Sequence, residues 1–162
     1  AALRFTAAAD TYVNSLHPED GNGRAAYLRV NGHPRRSKWV YLRFSVSGLP
    51  QPALVARATL RLKARRDAPG ATVAVYHVAS DDWREHAVNW RERPAPDASA
   101  LDSRTGMVAG EWQEWDVTAA VGGNGRHSFA LGRVQPVNGD VDWSSREDGA
   151  GAPELVIEFS PP

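Results

Sequence analysis

A chain of 162 residues, 42% apolar and 23% charged, holds enough material for one folded core and too little for two large domains. Nineteen basic against nineteen acidic residues exclude a general nucleic-acid coat, and the lack of cysteine excludes a disulfide frame or a thiolate metal site. No apolar run approaches the roughly 18 residues of a membrane span, and the opening Ala1-Ala2-Leu3-Arg4-Phe5 lacks the apolar stretch of a signal peptide.

Alternation of period 2, broken by Gly, Pro, Asn and Asp, predicts short strands over residues 3–7, 11–14, 27–31, 39–46 and 54–65. Further strands are predicted over 71–79, 111–116, 128–133, 141–145 and 155–159. Pro94-Ala95-Pro96-Asp97 and Gly122-Gly123-Asn124-Gly125 read as loops, and no sustained helical period is present. Many short antiparallel strands imply an all-β fold, an antiparallel β-sandwich of the jelly-roll type. One domain over 1–160 is expected, with Pro161-Pro162 as the start of a Pro-rich linker to further sequence.

The alternation also assigns faces. Val40, Leu42, Phe44 and Val46 form one apolar row of their strand, with Trp39, Tyr41, Arg43 and Ser45 on the other. Leu28 and Val30 share a face that Arg29 leaves, and Ala58, Leu60 and Leu62 oppose Thr59, Arg61 and Lys63. The row of Trp39, Tyr41 and Arg43 is expected outside, placing rings beside a cation on a sheet surface.

Seventeen arginines stand against two lysines. Arg24, Arg29, Arg35, Arg36, Lys38 and Arg43 cluster in one stretch with Tyr27, Trp39 and Tyr41 between them. A guanidinium is a planar fork that pairs with carboxylate or sulfate and stacks on rings, so the pattern predicts one basic face for an anionic ligand.

Six strings in order carry a family resemblance. They are Ala9-Asp10-Thr11-Tyr12-Val13; Tyr41-Leu42-Arg43-Phe44 with Gly48-Leu49-Pro50; Ala58-Thr59-Leu60-Arg61-Leu62; and Trp83-Arg84-Glu85-His86-Ala87-Val88-Asn89-Trp90 with Pro94. Trp115-Asp116-Val117-Thr118 and Ser144-Ser145-Arg146-Glu147 with Pro153-Glu154-Leu155 complete them. Together, from about Phe5 to Phe159, they resemble the DNRLRE domain, also described as carbohydrate-binding module family 96. That resemblance implies a secreted or cell-surface jelly-roll module, often fused to polysaccharide lyases, some members of which bind alginate in a basic groove. It also implies that Arg146 and the basic residues after Asp10-Thr11-Tyr12-Val13 line the groove. The chain departs from the family pattern at Asn89, where Thr often precedes the Trp, and in using arginine where characterised binders use much lysine. The second departure leaves the sugar open.

The expected ligand residues are therefore Arg24, Tyr27, Arg29, Arg35, Arg36, Lys38, Trp39, Tyr41, Arg43 and Arg146. Tyr27, Trp39 and Tyr41 are the candidate platforms for sugar rings. The opposing interpretation has the arginines solvated or paired with Glu19, Asp20 and Glu147, and the rings packed. Trp83 and Trp90 read as a structural clasp, Trp112 and Trp115 as core or edge packing.

A structural calcium is a further expectation, with Asp10 and Glu147 as its ligands and the Glu19-Asp20 turn as a contributor, although the spacing is not that of an EF-hand. For catalysis, His77 beside Tyr76 and the pair Asp82 and Glu85 are the nominal candidates, and neither has diagnostic spacing. The expected role is non-catalytic: a monomeric module that holds an attached enzyme on an acidic polysaccharide, with no nucleic-acid or membrane partner. The alternatives are a structural or adhesive cell-surface module and a neutral-sugar binder that uses ring stacking.

Overall fold

Apolar rows of period 2 bury well only when two sheets face each other, and that is what the sequence forms. The computed structural model describes residues 1–52 and 54–160, so the expected linker at Pro161-Pro162 lies outside the described residues. The strands are β1 (Ala2–Thr6), β2 (Ala9–Asn14), β3 (Tyr27–Val30), β4 (Lys38–Val46), β5 (Leu54–Lys63) and β6 (Ala68–Val78). They continue as β7 (Asp102–Met107), β8 (Trp112–Asp116), β9 (Gly125–Arg133), β10 (Val141–Ser144) and β11 (Glu154–Ser160).

One sheet has the order β1-β11-β5-β8, the other β2-β4-β9-β6-β7, and all pairs are antiparallel. A two-stranded ribbon, β3 with β10, closes one side. The bridge Asn31–Lys38 ties it to β4, and the bridge Ala64–Trp143 ties it to the end of β5. The fold is thus an all-β antiparallel sandwich of the jelly-roll type. Between the sheets lie Val40, Leu42, Phe44, Val46, Leu60, Leu62, Leu155 and Ile157, as the alternation required. Trp115 meets Trp143 edge-on at 6.0 Å, and its Nε1 donates to the Val73 carbonyl at 3.0 Å.

Two expectations change. Strand β7 is not predicted, because Asp102-Ser103-Arg104-Thr105-Gly106 is polar and only Met107 of this edge strand is buried. The larger change concerns the outer face of the five-stranded sheet. Residues 79–101, which join β6 to β7, fold back over it and form a second apolar cluster of Ala9, Val13, Tyr41, Val78, Trp83, Val88 and Ala130. Trp39 and Trp90 pack against its rim.

Polar groups under this cover are satisfied in place. The Trp83 Nε1 donates to Ser128 Oγ at 3.2 Å, and that hydroxyl donates to Asp81 at 2.7 Å. The Tyr41 hydroxyl donates to the Pro94 carbonyl at 2.7 Å. Trp83→Ala should cost about 3–5 kcal/mol, because it leaves a large void and uncovers the sheet. Chemical denaturation that finds a loss below about 1 kcal/mol would show that the cover does not contribute to folding.

Candidate ligand-binding site

The connection between β2 and β3 builds a cleft at the end of the ribbon. Tyr12 from β2 and Tyr27 from β3 stack at 5.7 Å with 27° between their planes, their hydroxyls 3.4 Å apart. Burial, and then the bond to Tyr27, raise the Tyr12 hydroxyl well above the usual phenol range. Asn22 Nδ2 donates to the Tyr12 carbonyl at 3.0 Å and folds the 21–25 segment over the rings. The result is a cleft of ≈ 410 Å³ lined by Tyr12, Asn22, Arg24, Tyr27 and His86 with the backbone of Gly21, Gly23 and Ala25. Gly23 is required there: a Cβ would stand 2.1 Å from the Glu85 carbonyl oxygen.

Cations follow the ribbon away from the cleft. The Arg29 guanidinium lies 4.4 Å from the Tyr27 ring centroid and grips Asp142 with two bonds, at 2.6 and 2.9 Å. Arg66 reaches the same carboxylate at 2.8 Å, and Arg65 donates to the Ala26 carbonyl at 2.8 Å. Lys38 pairs with Asp140 at 3.1 Å. Burial pushes the Asp140 carboxyl up, but bonds from Asn31 and Lys38 and the charges of Lys38 and Arg29 outweigh it and hold it below the usual range. Arg24, beside Tyr27, and Arg35 and Arg36, in the turn at the far end of β3, are exposed and form no ion pair among the described residues.

The ten expected ligand residues are therefore only partly brought together. Arg24, Tyr27, Arg29, Arg35, Arg36 and Lys38 sit on or beside the ribbon, but Arg29 and Lys38 are held in ion pairs. Tyr41 is 0% exposed and offers no platform to a sugar, because the 79–101 cover lies on it. Arg43 lies under the same cover, 4.8 Å from the Trp83 ring centroid, with its Nη1 donating to the Trp83 carbonyl. Trp39 is half-buried against Tyr76 at 5.4 Å, and its six-membered ring lies where a Cβ on Gly132 would fall. Tyr41 is thus closed to a ligand, and Trp39 and Arg43 are partly buried by their packing. Asn22 and His86 line the cleft, and Arg65 and Arg66 lie beside the ribbon. The adjacent pair Arg65-Arg66 was visible in the sequence, but nothing in it linked the end of β5 to β3.

Next to the cleft, Asp10, Glu85 and Glu147 converge, one oxygen of each lying within 4.8 Å of the others. Glu85 Oε1 accepts from the Asp10 N–H at 2.9 Å and from Arg146 Nη1 at 3.1 Å. Asp10 Oδ2 accepts from the Arg146 N–H at 2.7 Å, and Ser145 Oγ donates to Glu147 at 3.2 Å. Burial raises the Asp10 carboxyl to about 7, against the Arg146 N–H, which lowers it; the charges of Glu147 and Glu85 add to the rise. Arg146 is thus a partner of Glu85, although 40% of its side chain is still exposed. Glu19, expected near this cluster, pairs with Arg91 instead.

The nominal catalytic groups are dispersed. His77 meets Asp97 at 3.2 Å, Asp82 pairs with Arg126 at 3.1 Å, and Glu85 belongs to the cluster just described. A second cleft of ≈ 500 Å³ lies on the opposite sheet among Arg4, Arg57, Arg61, Glu114 and Glu158. Its cations are largely matched: Arg4 and Arg61 share Glu154, and Arg61 also binds Glu114.

Gly23→Ala should destabilise the chain by about 1–3 kcal/mol, since the Cβ meets backbone rather than a movable side chain. Gly70→Ala, with nothing within 4 Å, is the control, and equal melting temperatures for the two would refute the close approach. The stabilisation due to Asp140 should be present above its ordinary value of 3.8 and lost as pH falls through its lower folded value. Melting curves from pH 2 to 6 should therefore show Asp140→Asn converging on the parent protein at the acidic end.

The chain is similar to a gellan lyase from Bacillus sp, 20% identical over 159 residues that cover 93% of this chain and 6% of the relative. The chain therefore spans a small part of that protein's length. Among solved structures, it is similar to the K3 cleaved adhesin domain of Lys-gingipain from Porphyromonas gingivalis, at 12% identity and a TM-score of 0.44, covering 98% of this chain and 100% of that one. It is also similar to the low-affinity xylan-binding module CBM86 from Roseburia intestinalis, at 10% identity and a TM-score of 0.41, covering 99% and 96%. The sequence model of carbohydrate-binding module family 96 matches residues 1–159, and the chain belongs to that family.

Proposed function

We propose that this chain is a non-catalytic module that binds an acidic polysaccharide, a polyuronate such as alginate first, along the ribbon and the Tyr12–Tyr27 cleft. The observation that carries the reading is the row of cations beside an open aromatic cleft. Arg24 lines the cleft, and Arg35 and Arg36 project from the other end of β3 without acid partners among the described residues. Successive carboxylates of a polyuronate need cations repeated along a track, and the Tyr27 ring, stacked on Tyr12 and Arg29, lines the cleft beside them. Arg29 holds Tyr27 in place from behind its charge pair. Membership of a carbohydrate-binding family supports a sugar ligand, and the relative named as a gellan lyase supports an acidic one. In this reading the module is extracellular, and it raises the local concentration of substrate for an enzyme carried on the same polypeptide.

The ion pairs of Arg29, Lys38 and Arg146 favour a second reading, a structural or adhesive module without sugar affinity. A neutral-sugar binder is less well supported, because Tyr41 is buried and Trp39 is packed.

Affinity electrophoresis in gels of alginate, pectate, sulfated and neutral polysaccharide separates these readings. Retardation by the acidic gels is expected. Arg24→Ala or the double change Arg35→Ala with Arg36→Ala should weaken it about five- to tenfold, more so at low salt. Arg57→Ala on the opposite sheet should leave it unchanged, and a loss there would move the site to that sheet. No retardation in any gel would support the structural reading.

A further inference from the structure

Three chain segments far apart in sequence meet at one buried point beside the cleft: the start of β2, the 79–101 cover and the Arg146–Gly151 turn. Each contributes a carboxylate: Asp10, Glu85 and Glu147. Like charges this close repel strongly in a low-dielectric setting unless something compensates them. Arg146 supplies one positive charge, through Glu85, and His86 Nε2 stands 3.3 Å from the other oxygen of Glu85; neither group bonds Glu147 or offers a side-chain donor to Asp10.

One oxygen stands out. Asp10 is 1% exposed, and its Oδ1 is buried with no hydrogen-bond partner, although its other oxygen accepts from the Arg146 N–H. A buried carboxylate oxygen without a donor is costly. It belongs to the same cluster as a Glu147 carboxylate that is open to solvent and so accessible to an ion.

We propose that Asp10, Glu85 and Glu147 bind one calcium ion. The three oxygens lie within 4.8 Å of one another, close enough for one calcium with ligands at ~2.4 Å to reach all of them. The ion offsets the repulsion among the three carboxylates and gives the Asp10 oxygen a partner. Arg146 stays on the outer side of Glu85 as a neighbour to the ion. The all-oxygen donor set, free of His and Cys, suits a hard divalent cation. The ion ties the cover to β2 and to the Arg146–Gly151 turn, and it fixes His86, which follows Glu85, in the wall of the cleft. The site stands on these contacts alone and does not depend on which sugar binds.

The test uses the purified chain stripped with a chelator and dialysed against calcium, against magnesium, or against neither. One calcium per chain should be retained by elemental analysis. At a calcium level about a hundred times the dissociation constant, melting should rise by roughly 5–10 °C over the stripped protein. Asp10→Asn and Glu147→Gln should abolish both effects, whereas Glu158→Gln, on the far sheet, should keep them. Glu147→Gln removes an exposed carboxylate, so it reports on the ion even where Asp10→Asn folds poorly. Retention of calcium by Glu147→Gln, an unchanged melting temperature on stripping, or an equal response to magnesium would overturn the assignment. Sugar retardation is scored separately, so failure of the ion site leaves the polysaccharide reading standing and the reverse holds too.

Discussion

Trp83 seated on the outer face of the five-stranded sheet is the contact from which the rest of the molecule follows. A sheet with two apolar faces needs two covers, and the second β-sheet supplies only one. The 79–101 connection supplies the other by placing Trp83 and Val88 on Tyr41, Val13 and Ala130. Its buried polar groups are paired on site, by Ser128 for the indole and by the Pro94 carbonyl for Tyr41. Two residues beyond Trp83, the chain delivers Glu85 to the Asp10 N–H and to Arg146. One connection thus completes the core, builds the acidic cluster and walls the cleft.

Arginine chemistry explains how one residue type is divided between internal pairing and the surface in a chain of zero formal charge. Guanidinium groups pair bidentately and stack, so the same residue type serves as structure and as surface. Arg29 is the structural case, clamped on Asp142 and laid over Tyr27. Arg43 is another, spent on the Trp83 ring and backbone. Arg24, Arg35 and Arg36 stay in solvent. Asp140 and Asp142 hold Arg29, Lys38 and Arg66 along the ribbon through ion pairs that are partly or largely buried.

The sandwich itself was legible in the chain. The rows Val40-Leu42-Phe44-Val46 and Ala58-Leu60-Leu62 face the core as their period of 2 required. Turn residues marked most strand ends. Strand β7 was hidden because an edge strand with one buried residue has no apolar row to read. Part of the acidic cluster was legible as well. Asp10 and Glu147 were expected together, and the structure brings them together. Glu85 was a nominal catalytic candidate, and its place in the acidic cluster appears only where its segment meets β2.

Sequence alone determined which residues alternate, and so the all-β class, the core rows and the gathering of arginines with aromatic rings around β3 and β4. It could not decide which outward row meets water, because alternation assigns a side of the sheet and says nothing about what later covers that side. Tertiary structure decided that Tyr41 and Arg43 lie beneath a distant segment while Arg24, Arg35 and Arg36 remain exposed. The reason is that the burial of a strand's outer face is a long-range contact, made between residues forty or more positions apart and written in neither segment by itself.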